Sequence, residues 1–186
     1  MRRFEKINEK EVLRALNRRE MEIGIDKYEF IMKRFWHVDV RKDNEFKRVF
    51  IDFYKLINLN GKFLEIYFET LENHKTIEYT YVEVLRILYK YSKKVHGSFA
   101  SKLLATVDEE LPIIDRFIKK HLELETYYSV GNVEKIIAQY DEVKDLYSEF
   151  LNTEQSKRWI ELFDEKFSDR NISDIKKIDF ILWQIR

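Results

Sequence analysis

An all-helical fold is predicted by three features of the sequence. Four glycines and one proline in 186 residues are too few for the tight turns of a sandwich or barrel. Leu, Glu, Lys and Arg, which lose little side-chain freedom in a helix, are abundant. Apolar residues recur at spacings of three and four, which places them along one face of a helix. With 45% hydrophobic residues, including 14 Phe, 11 Tyr and 3 Trp, the chain can bury a sizeable core.

About ten helices are expected, within a few residues at each end. Asn8, followed by Glu11, offers a capping oxygen and opens a helix over 8–22, and Asp26 with Glu29 opens a second over 26–36. Phe46, Val49, Phe50, Phe53 and Ile57 form the stripe of a helix over 43–57, and composition and spacing extend helices over 61–73 and 154–167. Tyr81, Val84, Leu85, Leu88 and Tyr91 mark 77–93; Val133, Ile136, Ile137, Tyr140, Val143 and Tyr147 mark 132–151. Gly97 is expected to take a left-handed conformation that ends the preceding helix, with Ser98 capping a short surface helix over 98–106. Pro112 starts a helix over 112–124 and puts Asp115 in its first turn, where the helix dipole favours an anion. Ser173 caps the last helix, 173–185, which carries Ile175, Ile178, Ile181, Leu182 and Ile185 on one face and reads as a docking helix that closes the core. Phe35–Val40 alternates briefly and is the single strand candidate. With no repeat and no Pro-, Gly- or Ser-rich linker, residues 1–186 read as one compact domain.

Charge and motifs narrow the chemistry mainly by exclusion. Thirty-four basic residues balance thirty-four acidic ones, so no long-range pull toward nucleic acid or anionic lipid is encoded. The absence of cysteine excludes a thiol nucleophile and fits a reducing cytoplasm; no leader and no membrane span is expected. There is no glycine-rich phosphate loop and no GxSxG motif. His74 with Glu78 and His121 with Glu125 sit one turn apart, a spacing that a charged helical surface gives by chance, and neither a metal nor a cofactor is expected.

The stretch around Gly97-Ser98-Phe99-Ala100-Ser101-Lys102 and Leu111-Pro112-Ile113-Ile114-Asp115 resembles the central part of the helix-hairpin-helix superfamily of base-excision DNA glycosylases. In that family the hairpin supplies backbone amides to a DNA phosphate, some members use a lysine nucleophile, and a carboxylate follows. The resemblance covers about 25 residues and implies a DNA-binding role for Gly97, Ser98, Lys93 and Lys94, and catalytic roles for Asp115 and Lys102. It also departs from the family: the second hairpin glycine is replaced, and Lys102 stands closer to Asp115 than the family's lysine does to its aspartate. Phe99, Tyr127 and Tyr128 are aromatic candidates for stacking on a base. Two functions therefore stay open, a weakly DNA-binding glycosylase-like protein and a non-catalytic helical interaction module or homodimer. In the second, Asp115 is a helix-start residue and Lys102 a solvated surface side chain.

Overall fold

The computed structural model describes residues 4–57, 59–127 and 130–185. Among them a 3-10 turn, Phe4–Lys6, precedes ten α-helices and there is no strand. The helices are α1 (Glu9–Leu16), α2 (Arg19–Phe35), α3 (Asn44–Tyr54), α4 (Gly61–Asn73) and α5 (Tyr81–Ser92), then α6 (Gly97–Val107), α7 (Arg116–His121), α8 (Val133–Leu151), α9 (Glu154–Lys166) and α10 (Asp174–Gln184). One contiguous apolar core joins them.

The caps that the sequence identifies at Asn8 and Ser173 are formed: each side-chain oxygen accepts an amide of the first turn, and at Asn8 the Glu11 carboxylate closes a reciprocal bond. Asp26 caps nothing. Met21, Ile25, Tyr28, Ile31 and Phe35 form an unbroken buried stripe through α2, so the chain breaks earlier, at Asn17 and Arg18, and Asp26 lies mid-helix, paired with Arg170 at 2.8 Å. Phe35–Val40 is no strand either. Phe35 ends α2, and the following turn is held by α4: Glu72 accepts the Val40 amide at 2.9 Å, and Lys75, just beyond the helix, donates to the Val38 carbonyl at 2.5 Å. α3 stops at Tyr54 because Lys55 turns left-handed (φ 53°), which buries Leu56 and leaves Ile57 64% exposed. α5 begins at Tyr81 behind the Thr80–Glu83 capping box, and its outer end leaves Tyr91 52% exposed.

α10 docks on the core as the sequence suggests, and it lies at the centre of the fold. α1, α2, α7, α8 and α9 all pack on it, and every residue from Ile175 to Leu182 is buried, including two lysines and an aspartate. Lys176 and Asp179 are both fully buried; the ammonium donates to Asp179 Oδ2 at 2.8 Å, while Tyr147 donates to Oδ1 at 2.7 Å. Burial pushes the Asp179 carboxyl up, against the pull of the Lys176 charge and these two hydrogen bonds.

Candidate functional site

The residues from Lys93 to Lys120 fold into two short helices joined by an extended crossing. At the end of α5 it is Lys93, with φ 57° and ψ 17°, that takes the left-handed conformation expected of Gly97. Gly97 is instead the first residue of α6. Its requirement is steric: an added Cβ would sit 2.7 Å from Ile136 Cγ2 and 2.8 Å from the Tyr81 hydroxyl. Ser98 is likewise not the cap. His96 holds the N-cap position and makes no side-chain capping bond, so the leading amides of α6 have no side-chain acceptor. His96 stacks on Phe99 (5.3 Å, 12°) and lies 4.7 Å from the Phe63 ring, and burial lowers its pKa to about 4, with a further push from Lys94.

After α6 the chain crosses the core as Pro112, Ile113 and Ile114, all buried. Two hydrogen bonds fix this crossing. The Ile114 amide donates to Ser101 Oγ at 3.1 Å, and Tyr140 donates to the Pro112 carbonyl at 3.2 Å. Ser101 in turn donates to the Ser98 carbonyl at 3.0 Å, tying the crossing to the first turn of α6. Pro112 does not start a helix; α7 begins only at Arg116, with Asp115 as its N-cap. Asp115 Oδ1 accepts both the Phe117 amide at 2.8 Å and the Ile118 amide at 3.1 Å.

This geometry brings Asp115 and Ser98 to the same cleft, whose remaining wall is α7 and the chain beyond it: Arg116, Lys119, Lys120, Leu124 and Thr126. Its volume, about 280 Å³, is at the small end for ligand sites. Arg116, Lys119 and Lys120 fall at i, i+3 and i+4, so one face of α7 presents three cations beside one carboxylate. Burial lowers the Lys119 pKa, and the Asp115 charge opposes the shift. Sequence reasoning missed these three cations; the signal was present in the RFIKKH spacing directly after Asp115.

The other candidate residues lie elsewhere. Lys102 is not a solvated surface lysine. It is 6% exposed, is absent from the cleft wall, and its ammonium donates to the Tyr54 carbonyl at 2.9 Å. Burial lowers its pKa, with Asp115 acting in the opposite direction. Lys93 and Lys94 are exposed in the turn leading to Ser98, outside the cleft lining. Phe99 is half-buried; its carbonyl accepts from Tyr67 at 3.0 Å, which makes it a brace for α6. Tyr127 is half-buried beneath Lys135, 5.5 Å from the ring centre, and Tyr128 lies outside the described residues. His74 Nδ1 accepts the Tyr79 amide at 3.5 Å, and the His121 ring meets the Ile185 carbonyl at 3.2 Å. No group of three or more metal-ligating side chains occurs among the described residues. None of the helices is long and apolar enough to cross a membrane, again among the described residues.

No family model, curated protein or solved structure matches the chain.

Proposed function

We propose that the chain binds nucleic acid at the α6–α7 cleft, in the manner its resemblance to helix-hairpin-helix glycosylases implies. A backbone phosphate sits against the first turn of α6 and the cations of α7, and Asp115 lies beside the adjoining sugar. The observation that carries this reading is the convergence of Ser98 and Asp115, from the two segments of the resemblance, on one cleft with Arg116, Lys119 and Lys120. A phosphate gains from amides that lack a cap and from clustered cations, and a local cluster supplies this without any net charge on the chain. The chemistry to test is base excision: a carboxylate beside the sugar stabilises the positive charge that develops as a glycosidic bond breaks. A second reading, in which Asp115 is only a cap, is favoured by its two amide bonds on Oδ1.

Titrating salt against binding to a duplex oligonucleotide tests the first part. Three phosphate contacts give a log–log slope of about −3, and replacing Arg116, Lys119 and Lys120 together with serine removes most of it. Folded protein that fails to bind at low salt, or a triple variant that binds with the same slope, overturns the assignment. Base release from a panel of lesion-bearing oligonucleotides tests the second part. Asp115→Asn keeps most of the capping and removes the charge, so it abolishes release with little loss of stability. If the parent protein releases no base from any lesion, Asp115 is a cap alone.

A further inference from the structure

A second groove lies away from this cleft, between α3 and α4. The two helices form a hairpin whose inner faces meet through aromatic contacts: Phe50 lies 5.5 Å from Phe68 and 5.9 Å from Tyr67, and Phe46 lies 6.4 Å from Phe68. Beside these contacts the two helices line a groove of about 570 Å³ whose apolar residues are Ile51, Leu64 and Phe68. The banks carry opposite charge. On α3, Lys47 and Arg48 stand one turn before Ile51; on α4, Glu65 and Glu69 alternate with Leu64 and Phe68. Arg48 and Glu65 are both exposed, and no ion pair within 4.0 Å joins either to another side chain among the described residues. Arg41, at the end of the groove, is already held by Asp39 through two bonds of 2.8 Å.

We infer that this face is the site where a second copy of the chain docks, two α3–α4 hairpins combining about a two-fold axis into a four-helix bundle. The argument is charge complementarity under symmetry. A two-fold axis parallel to the helices places α3 of one copy against α4 of the other, so the basic bank meets the acidic bank twice, and Arg48 of each copy faces Glu65 of the other. A groove with one basic and one acidic bank is thereby complementary to itself, with the half-buried Ile51 and Leu64 between the banks to be covered by the second copy. A polyanion would be repelled by the α4 bank, so nucleic acid fits this groove poorly. This inference does not rest on the function proposed for the α6–α7 cleft.

Sedimentation of the purified chain over the micromolar range tests it. The parent protein is expected to pass from monomer to dimer with rising concentration. Arg48→Glu and Glu65→Arg, each at an exposed position outside the core, are each expected to sediment as monomers with an unchanged circular dichroism spectrum. Equal amounts of the two variants mixed together restore the dimer, because both cross-pairs are then opposite in sign; the doubly reversed chain restores it alone. Leu64→Asp, between the banks, abolishes it with no rescue by mixing. A parent chain that is monomeric throughout overturns the inference. So does a dimer that survives both single reversals, or single reversals that break it but fail to complement one another.

Discussion

Truncating Asp179 to alanine should be among the most damaging single changes in the molecule. Lys176 and Asp179 have no exposure, and among the described residues the carboxylate is the only anion bonded to that ammonium. Once it is gone, the next favourable contact for the charge is the face of Tyr28, with the ammonium 5.9 Å from the ring centre, and the Tyr147 hydroxyl also loses its acceptor. Breaking a buried pair from one side costs about 3–5 kcal/mol, because the remaining charge stays desolvated. For a chain of this length each kcal/mol lowers Tm by roughly 2–4 °C, so the expected drop is about 6–20 °C. Asp179→Asn should be nearly as damaging, since it keeps a partner for Tyr147 but leaves the ammonium unpaired. Replacing both members, as Lys176→Met with Asp179→Leu, removes the uncompensated charge and should recover most of the loss, leaving about 1–3 kcal/mol for the orphaned Tyr147 hydroxyl. Adding Tyr147→Phe should recover that too. Thermal and urea unfolding of the parent, Lys176→Met, Asp179→Leu and the double variant complete a double-mutant cycle. If the double variant loses as much as the sum of the two singles, the pair is not coupled and the reasoning fails.

Two further predictions concern the ground around the cleft. Gly97→Ala should destabilise by about 1–3 kcal/mol, because its methyl group meets Ile136 and Tyr81 inside 3 Å, whereas Gly61→Ala, with open space around it at the start of α4, should be neutral or slightly stabilising; urea midpoints decide both. Stability should also fall with acidity through His96. Its folded pKa of about 4 lies below the ordinary 6.5, so between those values the unfolded chain binds the extra proton and unfolding becomes easier as pH drops. Allowing for solvent screening of a half-buried ring, the loss is about 1–2 kcal/mol, and His96→Phe, which keeps the stack on Phe99, should flatten the profile between pH 6.5 and pH 4; an unchanged profile would refute the assignment.

The sequence by itself determined what short-range physics determines. Breaker count and three-to-four spacing specify an all-helical chain, Asn8 with Glu11 and Ser173 specify two helix starts, and Ile175, Ile178, Ile181, Leu182 and Ile185 specify the apolar side of α10. These features depend on neighbours within about one turn, and such neighbours are fixed by sequence distance.

Only the tertiary structure decided the rest, because it depended on what each residue met across the chain. Asp26 has the residue type and the spacing of a cap, yet burial of the stripe from Met21 to Phe35 carried the helix straight through it. Gly97 reads as a turn glycine, but the close approach of Ile136 and Tyr81 is what excludes a side chain there. Lys102 carries nothing in its local sequence to distinguish it from a solvated lysine, and the Tyr54 carbonyl and Asp164 meet Lys102 and Lys177 only through the packing of α3, α6, α9 and α10; Asp179 stands one turn from Lys176 in sequence, but it is the packing of five helices on α10 that buries the pair. The cleft has the same origin. Asp115 and Ser98 are visible in sequence, but their meeting with Arg116, Lys119 and Lys120 follows from the buried crossing of Pro112–Ile114, held by Ser101 and Tyr140, hydrogen bonds that no periodicity encodes.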